Sequence, residues 1–208
     1  MTKPTTVNEG HAYRPDNPHT HLNLVGDPAG SSGARCMAGT LRPTHQEHAN
    51  SAAAFVRAKI HVAPRSDEND WTVTAHRAEV LLPPGADDRF CCPRILFQAI
   101  DSEHPVDGKA LLTYITLTWR PKRFHTAWEL GRRLALELVR EHEVAVLAVQ
   151  HAPGKIARSN DPHVHLAIAG PRVLGSLGFG SYVTQLMGDR VWAPVRERFR
   201  VLLAEAGE

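Results

Sequence analysis

Residues 144–169 read VAVLAVQHAPGKIARSNDPHVHLAIA. Val144 to Gln150 is an apolar run of strand length that delivers His151 at its end, and a loop containing Gly, Ser, Asn, Asp and Pro follows. His163-Val164-His165 then opens a second apolar run. Successive side chains of a strand point to opposite faces, so His163 and His165 share one face while Val164 and Leu166 turn into a core. Same-face neighbours lie roughly 7 Å apart along a strand, a spacing at which two imidazoles converge on one ion. If the two strands pair, His151 supplies a third nitrogen. A His-x-His pair is also an ordinary surface feature, and the chain has 13 histidines. His19-Thr20-His21, in a hydrophilic and poorly patterned segment, reads in that ordinary way. The pair at His163 and His165 differs because an apolar strand carries it and a third histidine ends the preceding run. Three neutral imidazoles favour Mn, Zn, Ni or Co over Mg and leave coordination positions open for a substrate oxygen.

Working outward, the composition divides the 208 residues in two. Residues 1–48 are rich in Gly, Pro, Ser, Asn and His and read as a poorly ordered or atypical segment, with only His21 to Val25 resembling a short strand. Residues 49–208 are patterned like one globular domain. Ser51 is placed to cap a helix through Ala52 to Arg57. Trp71 to Leu82 favours a strand stopped by Pro83-Pro84-Gly85, and Pro93 opens a short helix through Ile95, Leu96 and Phe97. Leu111 to Trp119 is β-branched and aromatic, hence a strand. Thr126 to His142 is the clearest helix, with Thr126 and Glu129 as a capping box and Leu130, Leu134 and Leu138 on one face. A last helix follows Asp189, striped by Val195, Phe199 and Leu202. The order β-β-α-β-β argues for an α+β fold, a single mainly antiparallel sheet backed by helices.

The bounds on function are broad. The 24 basic and 22 acidic residues leave a formal charge of +2, so a polyanion would have to be met by a local basic patch. Arg120, Lys122 and Arg123 end a strand, Arg132, Arg133 and Arg140 lie on the capped helix, and Arg196, Arg198 and Arg200 punctuate the last one. Interleaved glutamates also fit ordinary solvated faces. Three cysteines, two of them adjacent, make neither a disulfide framework nor a CxxC pair. No stretch has the length and apolarity of a membrane span and no apolar signal core opens the chain, so a cytoplasmic protein with no membrane partner is expected.

The stretch resembles the MobA/MobL family of plasmid mobilisation relaxases, single-strand DNA nickases with a His-hydrophobe-His centre. His151-Ala152-Pro153, then His163 and His165, follow that family's His-Ala-Pro and His-x-His register. Glu79-Val80-Leu81-Leu82-Pro83-Pro84-Gly85-Ala86 looks like its Glu-Ile-Leu-Leu-Pro-Pro-Gly-Ala segment, and Leu96-Phe97-Gln98-Ala99 sits where it carries Leu-Trp-Asn. Gly178-Phe179-Gly180 and the helix holding Val195 to Phe199 match its closing pattern, so the likeness covers about residues 50–207.

The resemblance implies a relaxase-like fold and a divalent metal, Mn²⁺ or Mg²⁺ foremost with Zn²⁺ also compatible, on His151, His163 and His165. It implies conjugation as the setting and single-stranded DNA at a transfer origin as the partner, with accessory mobilisation proteins beside it. Arg57, Arg120 and Arg133 are the candidate DNA contacts. It also implies a tyrosine nucleophile that forms a 5′-phosphotyrosyl link. The family's tyrosine stands in Ala-Ala-Tyr-Arg, and the matching stretch is Ala53-Ala54-Phe55-Val56-Arg57, so Phe55 occupies its place. Thr116 stands where family members commonly carry an acid. Tyr13 and Tyr182 are the candidate substitutes, and Tyr114 reads as a packing residue of its strand.

Two other readings follow. One is a relative that retains the metal site or DNA affinity without strand transfer. The other is a histidine-triad nucleotide hydrolase, suggested by HVHLAIAG, although Ala167 stands where that motif needs its third histidine.

Overall fold

The computed structural model describes residues 5–27, 33–63, 67, 69–152 and 161–208. Its strands are β1 (Thr5–Thr6), β2 (Val25–Gly26), β3 (Arg35–Leu41), β4 (Thr44–His45), β5 (His48–Ala49), β6 (Arg77–Leu81), β7 (Leu112–Thr118), β8 (Val146–His151), β9 (His163–Ala169), β10 (Arg172–Gly175) and β11 (Gly178–Tyr182). Four helices accompany them: α1 (Ala52–Ile60), α2 (Pro93–Ser102), α3 (Phe124–His142) and α4 (Trp192–Glu205). Seven strands form one sheet in the order β1-β2-β3-β7-β9-β8-β6, and every neighbouring pair is antiparallel. This is the α+β class expected for a relaxase-like domain.

Alternation along the strands sends side chains to two cores. Ile115, Leu117, Val164, Leu166 and Ile168 face α3 and α4. Leu112, Tyr114, Leu147, Val149 and Ala167 face α1 and α2. The histidines belong to the second face. Both helices there start as their sequences direct. Ser51 accepts from the Ala54 amide, and the Asp101 carboxylate of α2 takes the Ala52 and Ala53 amides at 2.7 and 3.0 Å. A negative charge at a helix N-terminus is favourable, so this contact also locks α2 against α1.

Several expectations need correction. The segment up to residue 48 contributes a strand to the centre of the fold, since all seven residues of β3 pair with β7. Its sequence, RCMAGTL, hides this because both of its faces are covered and its glycine reads as a turn. Gly39 is needed there: a Cβ would lie 2.3 Å from the Asn23 carbonyl, which crosses against the strand. The strand expected over Trp71 to Leu82 shrinks to β6. Upstream, Thr74 and Ala75 donate their amides to the Ile60 carbonyl at the end of α1. Helix α3 begins at Phe124, so Thr126 lies inside its first turn, donates to the Arg123 carbonyl and cannot act as the cap. The β10–β11 hairpin was not anticipated. Pro153 of the His-Ala-Pro motif, and Gly154 to Asn160 of the loop, lie outside the described residues.

The backbone of α3 comes down on the strand that carries two of the histidines. A Cβ on Gly131 would stand 2.7 Å from Cγ1 of Val164, whose β-branched side chain has little freedom to retreat. Overpacking of this kind costs about 1–3 kcal/mol, more than the ~1 kcal/mol of helix propensity that alanine would add. Gly131→Ala should therefore lower the urea midpoint; a raised midpoint would contradict the close approach.

Candidate metal centre

Register sets the site. In the β8–β9 ladder His151 pairs directly with His163, and Val149 with His165. All three imidazoles therefore emerge on one face, as the spacing predicted. One nitrogen from each lies within 4.8 Å of the others, and the ring centroids are 4.6–5.1 Å apart.

The remaining nitrogens are engaged. A carbonyl can only accept, so His151 donates Nε2–H to the Lys59 carbonyl at 2.6 Å, and His163 donates Nδ1–H to that of Asp161 at 2.8 Å. These bonds select tautomers with lone pairs on His151 Nδ1 and His163 Nε2. Nδ1 of His165 lies 2.7 Å from the Tyr114 hydroxyl and 3.1 Å from that of Thr116. The Tyr114 hydroxyl is also 2.9 Å from Nε2 of His19. With His165 donating to Tyr114 and Tyr114 donating to His19, Nε2 of His165 keeps its lone pair. Orientation of each ligand through its second nitrogen is the usual support of a metal-binding histidine. The donor set, three imidazoles with no carboxylate among them, fits a borderline divalent metal.

Burial disfavours the charged form of His19, His163 and His165. It pushes His163 down, drives His165 well below the usual imidazole range with help from the neighbouring histidines, and lowers His19 to about 3. Burial also lowers Lys59 to about 7 and raises the Tyr114 phenol. The pH consequence has a definite sign. An unfolded histidine titrates near 6.5, so below that pH the unfolded chain binds protons that folded His19 and His165 refuse. The stability they contribute is complete above about pH 6.5 and falls as the pH drops below it, for His19 down to about pH 3, at up to ~1.4 kcal/mol per pH unit for a ring that stays neutral. The metal-free protein should show a clearly lower urea midpoint at pH 5 than at pH 7.5; equal midpoints would contradict burial of neutral rings.

The other candidate residues scatter. Phe55 is 2% exposed and packs edge-on against Tyr114, with ring centroids 5.1 Å apart. Tyr13 stacks between His21 and His48 at 4.5 and 3.9 Å. The Tyr182 hydroxyl donates to the Ala110 carbonyl at 3.5 Å, before the start of β7, whereas the histidines pair near the end of that strand. Arg57 donates to the Asp67 carbonyl, and Arg133 pairs with Glu205 at 2.7 Å and with Glu137 at 3.5 Å. Arg120 pairs with Asp161 at 2.9 Å, the residue whose carbonyl holds His163. Ala167 is packed into the core on the α1/α2 face.

Four residues that sequence reading left out of the site belong to it: His19, Lys59, Tyr114 and Thr116. Tyr114 and Thr116 were recoverable in principle, because alternation on β7 puts them on the face that His165 shares once the strands are set side by side. His19 and Lys59 arrive through tertiary packing and left no local signal.

No family model matches the chain, and no curated protein matches it. A solved structure described as the molecular basis of vancomycin resistance transfer in Staphylococcus aureus is similar to it, with a TM-score of 0.52 and 21% identity. The match covers 64% of this chain and 72% of that one. At that identity the likeness is one of fold.

Proposed function

We propose that this chain is a relaxase-type protein that binds single-stranded DNA at a transfer origin and presents one phosphodiester to a divalent metal for nicking and strand transfer. The observation that carries the reading is the convergence of His151, His163 and His165, each oriented through its second nitrogen. The similarity of fold to a protein of resistance transfer, and the MobA/MobL-like segments around the histidines, support it. When bound, the metal would supply a Lewis acid that polarises the phosphate and offsets charge gathering on its oxygens.

The chain's own residues have distinct parts. Tyr114 and Thr116 fix the plane of His165, and the Lys59 and Asp161 carbonyls fix His151 and His163. Arg120 stands beside Asp161 and is the best placed of Arg57, Arg120 and Arg133 to meet a backbone phosphate. For the nucleophile, Tyr13 is a better candidate than Tyr182. It stacks on His21, two residues from His19, whereas the Tyr182 hydroxyl belongs to the other end of the sheet. Phe55 favours a second reading, in which DNA and metal are bound but no covalent link forms.

The test uses supercoiled plasmid carrying the DNA that flanks the coding sequence. Purified protein with Mn²⁺ should yield open circles, and His163→Ala should not. Neither nicking nor binding of single-stranded oligonucleotides from that DNA, by well-folded protein, would sink the proposal.

A further inference from the structure

Lys59 is the buried amine of this site among the described residues, and what surrounds it is incomplete. It lies one helical turn after Phe55 on α1 and is 8% exposed. Its Nζ sits 5.3 Å from the Phe55 ring centroid and 4.9 Å from that of Tyr114. Among the described residues no carboxylate pairs with it. Its field reaches His19, His163 and His165, and imidazoles carry no negative charge in either of their usual forms. Buried charges are normally paired, and two aromatic faces offset only part of the loss of water. Among the described residues the cluster therefore gathers a lysine and a set of cation ligands with no carboxylate paired to the lysine.

We propose that Lys59 is a substrate contact, its ammonium binding a non-bridging oxygen of the phosphate presented to the histidine cluster. The inference rests on the phosphodiester reading above and adds to it a specific residue. Metal on one side and ammonium on the other would hold a single phosphate between two cations. That arrangement selects an anion over a neutral ligand, and a phosphate ester meets it with two non-bridging oxygens available at once. The residue has two ends with separate tasks: its carbonyl orients His151, and its amine meets the substrate. Only the second end depends on the side chain, so substitution separates them.

The experiment is calorimetric titration of native protein, Lys59→Met and Arg94→Met, the last removing an exposed cation from α2. Each is titrated with Mn²⁺ alone, then, loaded with Mn²⁺, with orthophosphate and with a single-stranded oligonucleotide from the flanking DNA. Lys59→Met should bind Mn²⁺ several-fold more tightly, since a neighbouring positive charge is gone, and should bind orthophosphate and oligonucleotide at least tenfold more weakly. Arg94→Met should match the native protein with Mn²⁺ and orthophosphate. Unchanged phosphate and oligonucleotide binding in Lys59→Met would overturn the proposal, as would Mn²⁺ binding weakened tenfold, which would make the residue a support of His151 only. Orthophosphate binding that depends on Lys59, in a native protein that ignores the oligonucleotide, would keep the anion site and overturn the nucleic-acid reading. Binding of neither anion by the native protein overturns both. Lys59→Gln, uncharged and of similar reach, replaces the methionine variant if that fails to fold.

Discussion

His163→Ala should leave a folded protein whose affinity for Mn²⁺ or Zn²⁺ has fallen by more than about 100-fold. A group that merely orients a metal ligand is worth about 10–100-fold in affinity, so loss of a ligand should exceed that range. His163 is the cleaner of the strand-pair substitutions because it is only partly buried and its second nitrogen meets a backbone carbonyl. His165→Ala should abolish binding equally but also weaken the fold. His165 is 3% exposed and bonded to Tyr114 and Thr116, so its removal opens a cavity and leaves buried hydroxyls short of a partner, at about 1–3 kcal/mol for each unsatisfied group. Titration calorimetry and urea unfolding separate the two effects. Near-native metal affinity in His163→Ala would mean that the three imidazoles do not act together.

On the second reading, in which DNA and metal are bound without strand transfer, Phe55→Tyr should convert a protein that forms no covalent adduct into one that does. In the tyrosine enzyme the phenolic oxygen would bond to phosphorus as the bond to the 3′ oxygen breaks, and that oxygen would leave as a hydroxyl after taking a proton. The product, a 5′-phosphotyrosyl link to an oligonucleotide, survives denaturing electrophoresis, so the change reads as a new band. The position suits the purpose: the Phe55 ring lies against Tyr114, whose hydroxyl touches His165, and the Lys59 ammonium is 5.3 Å from its centroid. A buried hydroxyl without a partner would cost about 1–3 kcal/mol; Lys59 is a donor close at hand. Adducts in the native protein would instead identify another nucleophile, Tyr13 first, and would end the reading in which strand transfer is absent.

The legible parts of this chain were those with a local periodicity. Strand β9 was read to its last residue because HVHLAIA alternates histidine with hydrophobe before becoming apolar throughout. Helix α4 was legible from Val195, Phe199 and Leu202, all of which are buried. Strand β3 was not, because a strand covered on both faces and holding Gly39 shows neither alternation nor a long apolar run. The apparent capping box at Thr126 and Glu129 failed for a different reason: Arg123 already adopts extended backbone ahead of Phe124 and starts the helix early. In the site, the three histidines were readable because two adjacent strands supply them. His19 is 95 residues from the Tyr114 hydroxyl it touches, and Lys59 is 92 residues from His151. No pattern within a window of sequence reports such meetings.

The division has a kinetic side. Strands β8 and β9 follow one another along the chain and pair side by side, so their three imidazoles can meet as soon as that ladder closes, with little loop-closure entropy to overcome. The pieces that enclose them come from residues 19, 59 and 114 and depend on contacts of long sequence separation. By sequence separation alone, the ladder closes the shorter loop and the enclosure the longer ones. Because residues 19, 59 and 114 all precede the ladder in the chain, every enclosing element is already synthesised when the last histidine strand is made.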